Sequence, residues 1–256
     1  MLEIANLEVV YNEVILVLRG LSIQVPDGHI VALLGANGAG KTTTTRAITG
    51  LLDLHEGKVT KGSVTFQGRQ INGDDPSAIV RSGITQVMEG RRVFAELTVD
   101  ENLATGGITN KNRKALATSY DRVMTMFPLL AERRSATAGY LSGGEQQMLA
   151  VARAVMTRPK LLLVDEPSLG LAPKIVDQIY EILLELRKTE GLTLVINEQS
   201  SNRVLKFADR ISVLRQGEIR LTGTAAELAD GAAIRQAYFG FEHGAQPALQ
   251  TQGGVA

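Results

Sequence analysis

Residues 35–43 read GANGAGKTT, and this glycine-rich segment constrains the fold of the chain more strongly than any other stretch. Its spacing fits G-x-x-x-x-G-K-[ST], the motif of a phosphate-binding loop. An apolar run at residues 30–34 can form a strand, and residues 41–51 can form a helix. The sequence therefore predicts a strand, a glycine loop and a helix N-terminus in the order that the motif requires. The alternative is a glycine-rich turn before an ordinary helix.

The residue types of this loop are suited to binding an anion. Glycines let backbone N–H groups converge on a phosphate without Cβ clashes, and the helix dipole adds positive potential at the same point. The motif predicts that Lys41 reaches the β- and γ-phosphates of a nucleotide and that the Thr42 hydroxyl ligates Mg²⁺. The other residues that we expect to surround the phosphates are Gly35, Ala36, Asn37, Gly38, Ala39 and Gly40.

The composition limits the classes of function. The chain has 256 residues, 44% of them hydrophobic, which is enough for one large α/β domain or a domain with a sub-domain. Because 27 basic residues balance 27 acidic ones, we expect no nucleic-acid partner. The arginine pairs at 91–92 and 133–134 are interpreted as solvated surface. Cysteine is absent from the sequence, which excludes disulfides and is compatible with a reducing cytoplasm.

Targeting and membrane segments are not predicted. The N-terminal sequence MLEIANLEVVY lacks the basic and apolar regions of a signal peptide. No apolar run in the sequence approaches the ~20 residues of a membrane span. We therefore expect any membrane role to act through partners.

Alternating apolar residues predict strands at residues 2–10 and 21–25, and residues 63–67 are interpreted as another sheet strand. Residues 211–214 and 218–221 flank a Gln-Gly pair, a pattern typical of a hairpin.

Between residues 98 and 140 the apolar spacing becomes helical, which interrupts the alternation of strands and helices. We interpret residues 98–158 as a helical sub-domain inserted in a nucleotide-binding domain at 1–240. Residues 241–256 have almost no periodic apolar content and are predicted to form a disordered tail.

Two carboxylates follow a short apolar run at residues 161–164. Asp165 and Glu166 would be costly at the end of a buried strand unless they face a metal or a cleft. Beside a phosphate loop, the first carboxylate is expected to hold Mg²⁺ and the second to orient the attacking water. The alternative is a charged strand end in solvent.

Two further segments have both a functional and a structural interpretation. Ser142-Gly143-Gly144 can begin a helix and form an anion site, or serve as a simple N-cap. Tyr11 ends the first predicted strand, where its ring could stack on a base or could pack within a hairpin.

The order of GANGAGKTT, LSGGEQQ at 141–147 and LLLVDEP at 161–167 resembles that of the ATP-binding-cassette (ABC) ATPases. The resemblance spans roughly residues 2–240. It implies an α/β fold, namely the P-loop NTPase nucleotide-binding domain of ABC proteins with an antiparallel β sub-domain and an inserted helical sub-domain. It also implies ATP and Mg²⁺ as the bound cofactors.

The resemblance also assigns roles to residues. It implies that Tyr11 stacks on adenine, Thr43 contacts the phosphates, and Glu166 is the catalytic base beside Lys41. It implies that two such domains pair head to tail, so that the signature of one completes the ATP site of the other. The signature residues expected to act in trans are Leu141, Ser142, Gly143, Gly144 and Glu145. The loop Ser168-Leu169-Gly170 is expected to cross that interface.

Two positions depart from the general pattern of the family. The glutamine that usually joins the Mg²⁺ site is replaced by Glu89, a candidate metal ligand, while Gln86 lies three residues out of register. The histidine that usually senses the γ-phosphate is replaced by Gln199. A third acidic side chain and an uncharged switch residue predict weak coupling at the site that this chain builds. We therefore expect a heterodimer in which another subunit builds the second site.

The segments MEGRRVFAELTVDENL, SLGLAP and NEQ resemble the second ATPase subunit of branched-chain amino-acid importers. This implies an ATPase at the cytoplasmic face of a bacterial inner membrane that energises uptake of branched-chain or related amino acids. The implied partners are a second ATPase subunit, two permease subunits and, indirectly, a periplasmic substrate-binding protein. The alternatives are a urea or short-amide importer, a soluble cassette ATPase acting on ribosomes or DNA, and an ATP-binding regulator without turnover.

Overall fold

The alternating and the fully apolar segments of the sequence form two different β-sheets. The computed structural model describes residues 1–110 and 112–239, so the predicted tail at 241–256 lies outside the described residues. The strands are β1 (Leu2–Tyr11), β2 (Ile15–Val25), β3 (Ile30–Leu34), β4 (Gly57–Phe66), β5 (Arg69–Gln70), β6 (Ile84–Val87), β7 (Leu161–Asp165), β8 (Thr193–Glu198), β9 (Arg210–Arg215) and β10 (Glu218–Thr224).

The first sheet is antiparallel, with strand order β2-β1-β4-β5. The strand predicted at residues 21–25 begins earlier, at Ile15, because a tight turn follows Tyr11. In that turn Asn12 and Glu13 have φ angles of 48° and 59°, and Val14 N donates to Tyr11 O at 3.1 Å. Two successive left-handed residues match the twist of a hairpin, so β2 pairs with β1 over its whole length.

The second sheet has the order β10-β9-β3-β8-β7-β6 and is parallel except at β10. β3 lies between two cores, and its five residues are all buried. Val31 and Leu33 face the core that the two sheets share with the first helix, while Ile30, Ala32 and Leu34 face the other core. A parallel sheet covered on both faces requires such continuous apolar strands. The predicted hairpin at residues 211–221 is present as β9 and β10.

The helices are α1 (Lys41–Thr49), α2 (Pro76–Ser82), α3 (Val99–Gly106), α4 (Arg113–Met126), α5 (Pro128–Glu132), α6 (Gly143–Val155), α7 (Pro173–Glu190), α8 (Ser201–Val204) and α9 (Ala232–Phe239), with 3₁₀ turns at Asp53–His55 and Ala138–Tyr140. α3 to α6 lie between β6 and β7 and form the inserted helical part of the predicted fold class. α1 ends two residues before the predicted boundary because Gly50 adopts a left-handed φ of 71°. No helix in the described ranges has both the length and the apolar character needed to cross a membrane.

Candidate active site

The predicted site segments meet at the carboxyl-terminal edge of the parallel sheet. The phosphate loop follows β3, Glu166 follows β7, and Gln199 follows β8. Backbone hydrogen bonds join these ends: Gly35 N donates to Glu198 O at 3.3 Å, and Glu166 N donates to Asn197 O at 2.9 Å. The crevice outside the carboxyl ends of such strands is where open α/β sheets bind ligands.

The phosphate loop has the backbone geometry that its glycines predict. Gly40 caps α1 with a φ of 115°, which an L side chain rarely adopts. A Cβ on Gly35 would lie 2.7 Å from Leu214 O, so glycine is required for this close approach. Ala36, Asn37 and Gly38 are exposed at the tip of the loop, where they can meet a ligand.

Lys41 is buried inside this loop, with 6% of its surface exposed. Its Nζ donates to Gly35 O at 2.7 Å and to Ala36 O at 3.3 Å. The same ammonium lies 3.2 Å from Glu166 Oε1, which forms a largely buried ion pair. The predicted catalytic pair is therefore in direct contact.

Glu166 is held by more than Lys41. Gln199 Nε2 lies 2.9 Å from Glu166 Oε1 and 2.8 Å from Glu166 Oε2, and it also donates to Asn37 Oδ1 at 2.8 Å. Glu166 has a φ of 45°, an uncommon left-handed conformation for a residue with a side chain. Such strain persists only where the surroundings enforce it, and it is concentrated at functional sites. The structure thus places the predicted switch residue against the predicted base.

Asp165 is buried and accepts three side-chain hydrogen bonds. Thr45 Oγ1 donates at 3.1 Å and Gln86 Nε2 at 2.6 Å, and Asn197 Nδ2 donates to the same carboxylate. Burial raises the pKa of Asp165, and the nearby charge of Glu89 acts in the same direction, while these three donors oppose the shift. A nearby cation would stabilise the ionised form of this buried carboxylate.

Three donors around Asp165 were missed by the sequence analysis as functional residues. The sequence places Gln86 out of register with the family pattern, and it gives no functional signal for Thr45 or Asn197. The strand pairing explains Gln86, because β6 aligns it with Leu163 on β7 and so brings its amide to Asp165. Glu89 is exposed, and its carboxylate makes no hydrogen bond to the described residues. Gln86, and not Glu89, therefore belongs to the hydrogen-bonded group around Asp165.

The oxygen atoms near Asp165 fit a hydrated Mg²⁺ ion. Thr42 is exposed on the first turn of α1, one turn before Thr45, which contacts Asp165. Gln86 Oε1 and Asn197 Oδ1 are buried without a hydrogen-bond partner in the described structure. Mg²⁺ in nucleotide sites keeps several waters and takes one or two protein oxygens. The described residues hold no group of three or more His, Asp or Glu that could bind a metal without the nucleotide.

Tyr11 lies beside the helix that follows the phosphate loop. Its hydroxyl lies 3.4 Å from Thr43 Oγ1, and Arg46 Nη1 donates to that hydroxyl at 3.4 Å. Its ring lies against Gly57, where an added Cβ would come within 2.9 Å of the ring, and it borders the core between the sheets. Tyr11 thus has a packing role on one side and the phosphate-loop helix on the other.

We expect Tyr11→Ala to weaken ATP binding by about ten- to a hundredfold, because stacking on a base contributes about 1–3 kcal/mol. Tyr11→Phe keeps the ring and should bind ATP almost as the wild type does. Titration with a fluorescent ATP analogue measures both affinities. If Tyr11→Ala binds with the wild-type affinity, the residue serves only to pack against Gly57.

The signature segment begins α6 as a capped helix. Ser142 is the N-cap: Glu145 N donates to Ser142 Oγ at 3.3 Å, and Ser142 N donates to Glu145 Oε2 at 2.7 Å. Leu141 and Gly144 are buried, and Gly144 lies against Ile175 of α7, where an added Cβ would come within 2.7 Å of that side chain. Ser142 is therefore an N-cap and is exposed at the first turn of α6, so an anion site at this helix start stays a prediction.

Arg91, which is predicted from the sequence to be solvated surface, contacts two predicted site segments. Its guanidinium lies over Gly143, where an added Cβ would come within 2.5 Å of Nη1. Its Nη2 donates to Gly170 O at 3.3 Å. Arg91 has a left-handed φ of 65°, which is uncommon for a residue with a side chain. This side chain joins the signature helix to the loop at residues 168–170.

Known proteins are similar to this chain in sequence and in fold. The chain is 47% identical over 224 residues to a high-affinity branched-chain amino acid transport ATP-binding protein, BraG, of Pseudomonas aeruginosa, covering 87% of this chain and 93% of that protein. It is 34% identical to a probable branched-chain amino acid transport ATP-binding protein, LivF, of Archaeoglobus fulgidus, with coverage of 90% and 94%.

A similar solved structure is the ADP conformation of an ATP-binding cassette of an ABC transporter. It superposes with a TM-score of 0.81 at 28% identity and covers 94% of this chain and 99% of that one. The family model described as ABC transporter matches residues 18–169, which contain the phosphate loop, the signature and both carboxylates. The chain therefore belongs to the ABC transporter family, as one of its ATP-hydrolysing cassettes.

Proposed function

We propose that the chain energises the import of branched-chain or related amino acids by hydrolysing ATP. The contact of Lys41, Glu166 and Gln199 at one edge of the sheet supports the hydrolytic role. The likeness to the Pseudomonas aeruginosa transport protein, which spans 93% of that protein, supports the substrate class. The segments resembling the second ATPase subunit of such importers agree with it.

ATP binds with its phosphates in the phosphate loop. The backbone N–H groups of residues 35–43 and the α1 dipole stabilise the phosphate charge. Lys41 turns from Gly35 O, Ala36 O and Glu166 toward the β- and γ-phosphates, which offer it a stronger negative charge. Binding therefore releases Glu166 from its ion pair, and the carboxylate becomes able to accept a proton from water.

Thr42 and Asp165 would hold Mg²⁺, which would supply positive charge to the phosphate oxygens when bound. Gln86, Asn197 and Thr45 keep the Asp165 carboxylate oriented through their hydrogen bonds. The buried carbonyl oxygens of the two amides can accept hydrogen bonds from water in this site. These polar side chains thus line the site beside the phosphates.

Glu166 orients the attacking water and accepts its proton, and Gln199 holds Glu166 in place with its amide group. The γ-phosphoryl group is stabilised by Lys41 and by the signature segment of the paired cassette. Ser142 and Gly144 of this chain act in the same way at the partner's ATP site. Closure and reopening of the pair drive the membrane subunits between two states.

We infer that the chain forms a heterodimer with a second ATPase subunit and that this heterodimer binds two permease subunits at the cytoplasmic face of the inner membrane. A periplasmic substrate-binding protein is an indirect partner on the other side of the membrane. Glu89 contributes negative charge beside Asp165, which disfavours closure around the phosphates. Gln199 cannot become cationic as histidine can, so its contact with the γ-phosphate is weaker. A partner subunit with the usual Gln and His supplies the second composite site.

The test of this arrangement is the ATPase rate of the chain alone and with its partner subunits. We expect the isolated chain to bind Mg-ATP but to hydrolyse it slowly, and its turnover to rise when the second subunit and permeases are added. Glu89→Gln combined with Gln199→His should raise the basal turnover of the isolated chain. Full turnover by the wild-type chain without partners would contradict the heterodimer. Identification of the co-purified permeases and a ligand assay on their binding protein test the substrate class.

A further inference from the structure

The carboxylate of Glu198, the last residue of β8, is buried and forms no ion pair with the described residues. Glu198 has 2% of its surface exposed, and no Lys, Arg or His of the described chain forms an ion pair with it. Its Oε1 accepts a hydrogen bond from the hydroxyl of Tyr180, on α7, at 2.7 Å. Tyr180 is itself buried and stacks on Phe207 with a ring separation of 4.1 Å. The pair is therefore a fixed polar contact inside an apolar core.

Glu198 is linked at its other side to the active site. Its Oε2 accepts a hydrogen bond from Gln199 N at 3.2 Å, so the carboxylate orients the backbone N–H of Gln199. The side chain of Gln199 contacts both oxygens of Glu166. The backbone carbonyl of Glu198 accepts from Gly35 N, which begins the phosphate loop. One residue thus joins α7 to the segments that hold the base and the phosphates.

Burying Glu198 costs free energy, which indicates that its two hydrogen bonds have a role at this strand end. A buried carboxyl group whose hydrogen-bond donors are neutral is disfavoured relative to an apolar residue of similar size. An apolar side chain at this strand end could fill the core but could not accept from both Tyr180 and Gln199. Burial, followed by the charge of Glu198, raises the pKa of Tyr180, so its hydroxyl stays protonated and donates throughout the working pH range.

We propose that Tyr180 and Glu198 form a positioning pair that fixes Gln199 against Glu166. Tyr180 makes no hydrogen bond to the phosphate loop or to Glu166 in the described structure, and it acts through Glu198 and Gln199. This role deepens the proposed function, because it rests on Glu166 as the base.

The test is a double-mutant cycle on the single-turnover hydrolysis rate of the full chain, with enzyme in excess over Mg-ATP. Tyr180→Phe removes the hydroxyl and keeps the ring on Phe207. We expect it to lower the rate constant by about tenfold, less than the ~10²-fold loss that a 1 Å misplacement can cause. The dissociation constant for Mg-ATP should stay within about twofold, since the phosphate loop is unchanged. In a Gln199→Ala background, Tyr180→Phe should change the rate by no more than about twofold. The side chain through which Tyr180 acts on Glu166 is already absent there.

Tyr120→Phe is the matched control. The hydroxyl of Tyr120 also donates to a carboxylate, Asp100, at 2.6 Å, but it does so within the helical part of the chain. We expect this variant to keep the wild-type rate per folded molecule, with thermal unfolding measured for every variant. Glu198→Leu repeats the cycle from the other partner, because leucine can accept from neither Tyr180 nor Gln199, and it decides the result if Tyr180→Phe does not fold.

The results distinguish an error in the positioning pair from an error in the assignment of the base. An unchanged rate in Tyr180→Phe, or the same loss with and without Gln199, would overturn the positioning role. If Glu166→Gln loses hydrolysis while the cycle is additive, only this inference fails. Wild-type hydrolysis by Glu166→Gln would overturn the assignment of the base, and the inference with it.

Discussion

Glu166→Gln will lower the hydrolysis rate by about 10²–10⁴-fold, the usual effect of removing a positioned general base. The amide keeps the size of the side chain but cannot accept a proton from water. It also removes the ion pair of Glu166 with Lys41, whose atoms lie 3.2 Å apart, so Lys41 is free to meet the phosphates. ATP binding should therefore be retained or strengthened, and an ATP-bound dimer should accumulate when the second subunit is present.

Steady-state ATPase assays and gel filtration with Mg-ATP measure these two effects. Glu218→Gln is a suitable control, because Glu218 forms an ion pair with Arg220 at the exposed end of the β9–β10 hairpin. This control should keep the wild-type rate and elution volume. Ordinary turnover by Glu166→Gln would show that another group accepts the proton.

Lys41→Ala should weaken ATP binding by about a hundredfold or more. Removing one partner of a buried charge contact costs about 3–5 kcal/mol, and each 1.4 kcal/mol is a factor of ten in affinity. Lys41 also ties the loop together through Gly35 O and Ala36 O, so the alanine variant loses order in the loop as well as charge. Isothermal titration with Mg-ATP gives the dissociation constant directly.

The two variants are expected to fail in different ways. Lys41→Ala should lose binding and hydrolysis together, whereas Glu166→Gln should lose hydrolysis alone. Lys61→Ala provides a matched control, because that lysine pairs with Glu8 on the exposed face of the antiparallel sheet. A dissociation constant of Lys41→Ala within about threefold of the wild type would contradict the role of Lys41 at the phosphates.

Local sequence patterns predicted the parts of the site that depend on neighbouring residues. The glycine spacing of residues 35–43 predicts a loop whose backbone must turn tightly, and Gly40 does so with a φ of 115°. Asp165 and Glu166 could be placed at a strand end because a buried apolar run precedes them. In a parallel sheet these ends meet at one edge, so the segments were brought together by topology alone.

The residues that were missed depend on contacts between distant segments. Gln86 reaches Asp165 only because β6 pairs with β7 in one particular register, which the sequence of β6 does not specify by itself. Tyr180 has the spacing of an ordinary core residue on α7, and its hydroxyl gains its role from Glu198 on another element. The start of β2 was missed for a local reason: the turn at Asn12 and Glu13 lacks the glycine that usually marks such hairpins.

The contact of Arg91 with Gly170 has a mechanical consequence. Arg91 lies in the connection from β6 to α3, between the sheet and the helical insertion, and a single 3.3 Å hydrogen bond joins it to the loop after β7. One exposed hydrogen bond contributes only about 0.5–1.5 kcal/mol, which thermal motion breaks often. The loop at residues 168–170 can therefore separate from Arg91 at a small cost in free energy, without any loss of buried apolar contact.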